Sequence, residues 1–268
     1  MKIFDCTTFY RSNILFELRF HTLKNIVDHF VVCESNLSHT RRRKKFTFNY
    51  KKWKKYKDKI IYIKLTNIPE HLKDHSLLQF QAEQINQGLV NASGNDLIIY
   101  SDEDEIVNPK SVKAFLHNKF KFGVFMQNSY YYRFNIQSKT EGDGNWPGSR
   151  ICQKKNLTSF TKLKLLKIKN LTYPFWRFDK EKSIQIIKQG GWHFTYLMTP
   201  KQISMKINDM VYQNLNNKNY NNHKIIEKKI ENLEDLFDRG FILKKVKIDN
   251  TYPSYLKKNI KYYKKWIS

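Results

Sequence analysis

Four acidic residues follow a short apolar run in the middle of the chain. The acids are Asp102, Glu103, Asp104 and Glu105, and the apolar run covers residues 97–100. In an extended segment Asp102 and Asp104 would point the same way, because side chains alternate with a period of two. Two carboxylates about 4 Å apart repel by roughly 4 kcal/mol at an effective dielectric of about 20, and a divalent cation relieves that repulsion. The pattern predicts either a site for magnesium, manganese or calcium, or a solvated acidic turn.

A second stretch with chemical potential is Gly190-Gly191-Trp192-His193. Paired glycines allow the backbone to approach a ligand closely, and Trp192 offers an apolar face beside them. His193 is either a metal ligand or proton carrier, or a structural histidine with satisfied hydrogen bonds. The residues alone leave both interpretations of His193 open.

These residues need a scaffold, and the first half of the chain predicts one. Its order of strands and helices is a βαβ rhythm, which is typical of a largely parallel sheet with right-handed crossovers. Ligands of such sheets bind beyond the carboxyl ends of the strands, which is where the four acids stand. The predicted strands are residues 2–6, 30–34, 59–65 and 97–100, and the predicted helices are residues 13–25 and 76–89.

The second half of the chain is less regular. Pro109 suits a helix start, and no glycine-rich phosphate-binding motif follows a strand, which argues against a Walker ATPase and a dinucleotide enzyme. The predicted elements are a helix over 112–119, strands over 122–127 and 130–135, a polar surface loop over 141–148, and a tail of two helices around a strand over 241–248.

The composition limits the classes of partner and the cellular compartment that we expect for this protein. A net charge of +25 suits nucleic acid, an anionic membrane or phosphorylated substrates. The basic segments 41–45 and 51–57 are interleaved with the aromatic residues Phe46, Phe48, Trp53 and Tyr56. We favour a solvated or membrane-facing surface with inward aromatics over base stacking. The three cysteines, Cys6, Cys33 and Cys152, have no zinc-binding spacing and indicate a reducing compartment.

The chain shows no sign of a membrane span or a secretion signal. No apolar run approaches the roughly 18 residues of a spanning helix. Asp5 interrupts any signal-peptide core near the start. We therefore expect a cytoplasmic protein that is at most peripheral at the inner face of a membrane.

Together the residues resemble glycosyltransferase family 17, the family of the β-1,4-mannosyl-glycoprotein N-acetylglucosaminyltransferase. The acidic motif combined with Gly-Trp-His at this spacing carries most of the resemblance, which extends in order over nearly the whole chain. The similar segments are residues 4–6, 13–19, 27–36, 101–106, 146–148, 190–196, 235–240 and 252–256.

The resemblance implies an α/β fold of the GT-A type, with a Rossmann-like, mostly parallel central sheet flanked by helices. It implies one domain over residues 1–268, with a nucleotide-binding half over 1–110 and an acceptor-side half with C-terminal helices over 111–268. The implied reaction is inverting, metal-dependent transfer of GlcNAc or a related hexosamine from a UDP-sugar to a glycan or glycolipid hydroxyl. The implied cofactor is Mn²⁺ or Mg²⁺, and no nucleic-acid partner is expected.

The same resemblance suggests roles for individual residues. Asp104 would bind the cation, with Asp102 and His193 as further metal contacts. Glu105 is the expected general base, ahead of the alternatives Glu141, Asp143 and Asp179. The residues expected to contact substrate are Asp5, Glu34, Asp102, Trp146, Gly191 and Trp192.

Two departures from the family pattern and two rival functions complete the expectations. Ile85 stands where the family more often has arginine, and residues 206–210 replace a Ser-Phe-Ser/Ala-His type of segment. One rival is a metal-dependent nuclease or nucleotidyltransferase, which also needs clustered acids. The other is a basic nucleic-acid-binding protein, which leaves the four acids unexplained.

Overall fold

The apolar runs of the first half form the parallel part of a mixed sheet, as their β-branched and aromatic content predicts. The computed structural model describes residues 1–116 and 119–268. Within those ranges the strands are β1 (Ile3–Thr8), β2 (His29–Ser35), β3 (Ile60–Leu65), β4 (Leu97–Ser101), β5 (Glu105–Val107), β6 (Phe122–Tyr131), β7 (Ile136–Ser138), β8 (Asn145–Gln153), β9 (Ile184–Thr195) and β10 (Leu243–Lys245). The helices are α1 (Asn13–Leu23), α2 (Asp74–Glu83), α3 (Pro109–Leu116), α4 (Phe160–Lys164), α5 (Pro200–Asp209), α6 (His223–Glu231), α7 (Ser254–Lys258) and α8 (Ile260–Tyr263).

The strands lie in the order β10-β7-β6-β8-β4-β1-β2-β3, and β9 pairs with both β6 and β5. Strands β3, β2, β1 and β4 are mutually parallel, whereas β8 is antiparallel to β4 and to β6. Strand β9 runs parallel to β6. The predicted α/β fold of the GT-A type, with a Rossmann-like and mostly parallel sheet, is confirmed, and the second half adds antiparallel strands to it.

Neighbouring residues of the parallel strands pack on opposite faces of the sheet. Val32 lies in one core cluster with Phe20 of α1, whereas Val31 lies in another with Ala82 of α2. Both faces are therefore covered by helices, which explains why these strands are apolar at consecutive positions. The carboxyl edge of the sheet is left to carry the site.

Two strands of the second half, β8 and β9, were not predicted from the sequence because they contain glycine and proline, which are typical of loops. The predicted surface loop over 141–148 is wrong at its end, because β8 begins at Asn145. Gly148 marks a close approach there, since a Cβ atom would lie 1.8 Å from the Gln127 side chain. The stretch 190–196 likewise falls largely within β9, and the two strands predicted over 122–135 are one long strand, β6, followed by a turn.

The predicted helices are largely confirmed, with shifted ends. The helix predicted over 76–89 is α2 followed by a 3-10 helix over Gln84–Leu89. The helix predicted over 112–119 is α3, which begins at Pro109 and runs to Leu116. Residues 117 and 118 of that prediction lie outside the described residues.

One prediction from composition, the inward direction of the aromatic side chains near the basic segments, agrees with the structure. Phe48, which lies between the two segments, and Trp53 of the second segment are buried. The three cysteines are buried and free. In the described part of the chain, no helix has the length and apolar character needed to cross a bilayer.

We call residues 102–105, the four consecutive acids, the acidic turn. A buried arginine on α1 connects this turn with β1. Arg19 of α1 is 1% exposed and donates to both carboxylate oxygens of Asp5 on β1, at 2.9 and 3.1 Å. Its other terminal nitrogen donates to the backbone carbonyl of Asp102 at 2.7 Å and to that of Glu105. The guanidinium therefore fixes both ends of the acidic turn against β1 and α1.

A glycine lets β9 lie against β5, the strand that follows the acidic turn. Gly191 pairs with Val107 and has a φ of 144°, in the region that side chains disfavour. A Cβ atom at this position would lie 2.1 Å from the carbonyl oxygen of Ile106. Gly191 thus serves the close approach of two backbones.

Replacing Arg19 with methionine should lower the free energy of unfolding by about 3–5 kcal/mol, because Asp5 is left buried without its partner. Urea unfolding measures the change. As a matched control, Arg177→Met removes a bidentate arginine–carboxylate pair from the surface and should leave the unfolding midpoint unchanged. Equal midpoints for Arg19→Met and the wild type would contradict the structural role of Arg19.

Gly191→Ala should cost more than about 2 kcal/mol of stability, because the obstructing atom is backbone and cannot move aside as a side chain can. The control is Gly94→Ala, where the nearest atom would be 3.6 Å from the new Cβ and the change should stay within about 0.5 kcal/mol. Thermal unfolding of both variants tests the difference. Similar losses for the two would argue against the close approach.

Candidate active site

A cavity of about 550 Å³ opens at the carboxyl ends of the parallel strands. The lining comes from the ends of β1, β2 and β4 and the segments that follow them, and from α2, α4, β8, β9 and α5. The polar residues that line the cavity and enter the argument below are Tyr10, Lys44, Asp102, Glu103, Asp104, Trp146, Lys164, His193, Lys206 and Asp209. The location agrees with the ligand position predicted for an open α/β sheet.

Two lysines from distant segments hold the two aspartates of the acidic turn. Lys164, the last residue of α4, bonds both carboxylate oxygens of Asp102, at 2.6 and 3.0 Å. Lys206 of α5 bonds Asp104 at 3.2 Å. Burial would lower the pKa of Lys206, but the carboxylates of Asp104 and Glu103 raise it above its usual value. Both ammonium groups are therefore charged, and each aspartate has a cation beside it.

Glu103, the second acid of the turn, differs from the two aspartates in its protonation state. Glu103 accepts a hydrogen bond from the backbone N–H of Tyr10 at 2.6 Å and lies 3.5 Å from Lys206. Burial nevertheless raises the pKa of Glu103 to about 8, with Lys206 opposing the shift. Glu103 is therefore mostly protonated at neutral pH, and Lys206 balances the charge of Asp104.

His193 and Asp104 both line the cavity and face each other. Strand β9 places the Nε2 atom of His193 3.7 Å from an Asp104 carboxylate oxygen, beyond hydrogen-bond range. Its Nδ1 atom is buried without a hydrogen-bond partner, and its ring stacks on Trp146 at a centroid distance of 5.2 Å. Burial would raise the pKa of Asp104, but Lys206 and His193 lower it below its usual value. The carboxylate is thus ionised beside an imidazole that has unused nitrogen atoms.

The structure brings together only part of the predicted metal set. Asp104 and His193 face each other, whereas Asp102 is held by Lys164. Among residues 1–116 and 119–268, no three His, Cys, Asp or Glu side chains form a group that could hold a metal ion. A cation at this position would therefore need ligands from a substrate.

Glu105, the expected general base, does not belong to the cavity lining and is 6% exposed. One carboxylate oxygen accepts from the indole nitrogen of Trp146 at 2.8 Å. The other accepts from the backbone N–H of Asp102 at 3.2 Å and from the Ser149 hydroxyl at 3.4 Å. This placement favours a role in holding the acidic turn and Trp146 over proton transfer.

The three other base candidates also lie outside the cavity lining. Asp143 accepts a hydrogen bond from the Tyr131 hydroxyl at 2.8 Å. Asp179 pairs with Arg177 on the surface, and Glu141 is exposed. The structure therefore brings none of the carboxylates proposed for proton transfer into the cavity.

Contrary to expectation, Asp5 and Glu34 do not line the cavity. Asp5 holds Arg19, as described above. Glu34 is fully buried and accepts hydrogen bonds from the backbone N–H groups of Thr47 and Phe48, at 2.7 and 3.1 Å. Both carboxylates therefore bond other parts of the fold, Asp5 a helix side chain and Glu34 the backbone of a loop, outside the cavity lining.

Trp192 and Gly191 are likewise placed away from the cavity lining, whereas Trp146 lies in it. Trp192 is 5% exposed in an apolar cluster, and its indole nitrogen donates to the carbonyl of Thr251 at 2.9 Å. The alternation of β9 explains the difference, because Trp192 and His193 must point to opposite faces. Of the Gly-Gly-Trp-His stretch, His193 is the residue that reaches the cavity.

Sequence inspection missed the lysines of the site. Lys206 begins the segment that departs from the family pattern, and this departure was the available signal. Nothing in the sequence distinguishes Lys164 from the many other lysines of the chain. Lys44 belongs to a segment predicted to be solvated, but its side chain is 4% exposed, and its ammonium group has no hydrogen-bond partner and lies 3.6 Å from Glu34.

The comparisons with solved structures give remote similarities. The chain is similar to glucosyl-3-phosphoglycerate synthase from Mycobacterium tuberculosis, solved with Mn²⁺, UDP and phosphoglyceric acid, at 11% identity and a TM-score of 0.40 over 96% of this chain and 91% of that one. It is similar to inositol-1-phosphate CTP transferase from T. maritima, at 10% identity and a TM-score of 0.37 over 70% and 85%. It is also similar to a glycosyltransferase involved in glycosylation of the major capsid of PBCV-1, at 14% identity and 0.31 over 68% and 72%.

The sequence comparison is more direct. No curated protein matches the chain significantly. The sequence model of glycosyltransferase family 17 matches residues 1–160, which is more than half of the 268 residues and includes the acidic turn, Arg19 and Trp146. The chain therefore belongs to glycosyltransferase family 17.

Proposed function

We propose that this protein is an inverting, metal-dependent glycosyltransferase that moves GlcNAc or a related hexosamine from a UDP-sugar to a glycan or glycolipid hydroxyl. Family membership supports sugar transfer. The cavity volume, about 550 Å³, falls within the roughly 300–1,000 Å³ that is usual for ligand pockets. The observation that carries the proposal is Asp104 facing His193 at 3.7 Å in a wall that also bears Lys206.

Asp104 and His193 fit a divalent cation as a partial ligand set. Magnesium and manganese sites in sugar and phosphate enzymes often use one or two protein ligands and take the remainder from phosphate oxygens and water. The spare nitrogen atoms of His193 and the ionised carboxylate of Asp104 suit this arrangement. A bound cation would neutralise the diphosphate charge as the nucleotide leaves.

The two lysines suit the diphosphate. In the ligand-free protein Lys164 neutralises Asp102 and Lys206 neutralises Asp104. A donor diphosphate brings new anionic oxygens into the cavity, and an ammonium group pairs with phosphate as readily as with carboxylate. On donor binding, Lys206 turns from Asp104 to a phosphate, which frees the Asp104 oxygen for the cation.

Asp209 is better placed than Glu105 to act as the general base. It lines the cavity and accepts a hydrogen bond from the Tyr10 hydroxyl at 2.7 Å. Within the described ranges 1–116 and 119–268 no lysine pairs with it, and its ion-pair contact there is Arg11 at 3.9 Å. In the proposed step the acceptor oxygen attacks the anomeric carbon, its proton passes to Asp209, and the bond to the UDP oxygen breaks.

Binding of UDP with and without Mn²⁺ tests the exchange of partners, by calorimetry on three variants. The wild type should bind UDP tightly only with Mn²⁺. Asp104→Asn should lose this metal effect and bind UDP about tenfold or more weakly with Mn²⁺. Lys206→Met should bind Mn²⁺ alone more tightly, because a competing cation is gone, yet bind UDP more weakly. Asp209→Asn should retain metal-dependent UDP binding, since a base acts on the acceptor.

The control is Asp249→Asn, which removes an exposed carboxylate that bonds Thr251 outside the cavity lining and should behave as the wild type. Equal UDP affinity with and without Mn²⁺ would remove the metal from the proposal. Unchanged Mn²⁺ affinity in Lys206→Met would remove the competition between lysine and cation.

The proton on Glu103 predicts a pH dependence of stability in the metal-free protein. The folded state holds this proton up to about pH 8, whereas the unfolded state releases it near the ordinary value of 4.5. Stability from this group is therefore complete below the unfolded pKa and is lost as the pH rises through the folded one. Between about pH 6 and pH 8 the loss is at most about 3 kcal/mol for one proton. Urea unfolding with a chelator should show a flatter profile for Glu103→Gln, and parallel profiles would contradict the protonated state.

A further inference from the structure

Three large aromatic side chains project into solvent from one short loop. We define the aromatic loop as residues 173–182, between the 3-10 helix Ile168–Thr172 and β9. Phe175, Trp176 and Phe178 are 79%, 60% and 90% exposed, respectively. Most other phenylalanines of the chain are buried in the core clusters. A concentration of exposed aromatic surface marks an interaction site rather than ordinary surface variation.

The shape of the aromatic loop is fixed by its own polar contacts. Lys182 at its end donates to the backbone carbonyl of Tyr173 at 2.8 Å and to that of Pro174. Arg177 forms a two-pronged pair with Asp179, at 2.7 and 2.8 Å. These contacts tie the end of the loop to its start and hold Arg177 beside Asp179, so the exposed rings project from a loop with its own internal hydrogen bonds.

The charge around the aromatic rings is positive. Residues 167–182 contain five basic and two acidic residues, a net charge of +3. Arg177 and Lys180 both contact the Asp179 carboxylate, which neutralises one of the two acids. The whole chain, at +25, adds a positive field of long range. A partner that meets this loop must tolerate apolar groups and carry negative charge.

We propose that the aromatic loop is a membrane-docking site that inserts Phe175, Trp176 and Phe178 into the interface of a bilayer rich in anionic lipid. Tryptophan partitions into the boundary between headgroups and acyl chains, where its apolar ring is buried and its indole N–H finds a hydrogen-bond partner, and phenylalanine beside it buries an apolar ring. Lysine and arginine beside them attract the negative surface potential. A bilayer supplies both features at once. This proposal goes beyond sugar transfer and does not depend on the identity of the donor.

Co-sedimentation of the full chain with vesicles tests the proposal. The wild type should bind vesicles of phosphatidylcholine and phosphatidylglycerol, bind pure phosphatidylcholine much more weakly, and be released by high salt. The combined variant Phe175→Ser, Trp176→Ser and Phe178→Ser keeps every charge and should bind the anionic vesicles about tenfold or more weakly. The matched control is Val90→Ser with Ile242→Ser, which removes hydrophobic residues that are 81% and 56% exposed elsewhere and should bind as the wild type.

Three results would overturn the proposal: no binding of the wild type, equal binding to neutral and anionic vesicles, or undiminished binding of the triple variant. The thermal midpoint of the triple variant should equal that of the wild type, because its side chains are solvent-exposed in the folded state. UDP binding, measured separately without vesicles, should also be unchanged in the triple variant. The two proposals are therefore tested independently. A failure of vesicle binding would not affect the UDP-binding result, and a failure of UDP binding would not affect the vesicle-binding result.

Discussion

The pairing of Arg19 with Asp5 is the interaction on which the geometry of the site depends. A guanidinium 1% exposed is stable only where acceptors satisfy its donors, and here two carboxylate oxygens and two backbone carbonyls do so. The two carbonyls belong to Asp102 and Glu105, the ends of the acidic turn. The backbone of the acidic turn is therefore fixed by the fold at both of its ends, which favours a preorganised site.

The charges above this support are balanced in pairs. Lys164 and Lys206 come from two helices, and each neutralises one aspartate of the turn. In the proposed function the carboxylates of this site would serve the cation and its lysines would serve the phosphates of the donor. Burial raises the pKa of Glu103 to about 8, so this carboxyl adds little negative charge to the turn at neutral pH. The same balance explains how four consecutive acids are tolerated in a partly buried turn.

The sequence predicted what is local and missed what depends on distant contacts. Strand β4 and the acids after it are adjacent in the chain, so their relation is visible in the sequence. Lys206 lies 102 positions from Asp104, and no spacing rule connects them. Glu105 was expected to act in the cavity because it stands beside the aspartates in the sequence. In the structure its carboxylate instead bonds the indole of Trp146 and helps to hold the acidic turn in place. Gly148 suggested a loop because glycine is common in turns. In the structure this glycine is required by a close contact with Gln127 of β6, which is distant in the sequence.

The position of α4 connects the cavity with the aromatic loop. Lys164 ends this helix inside the cavity wall, and Leu165, the next residue, lines the same cavity while remaining 60% exposed. The chain then passes through one 3-10 helix and enters the aromatic loop at Tyr173. Arg150 of β8 donates to the carbonyl of Leu166, at 3.3 and 3.1 Å, and so anchors the start of this passage to the sheet. A short segment that is held at the sheet therefore joins the aromatic loop to Lys164 of the site. Docking at a membrane would set the orientation of the cavity relative to the lipid surface, which matters most for an acceptor that is itself attached to lipid.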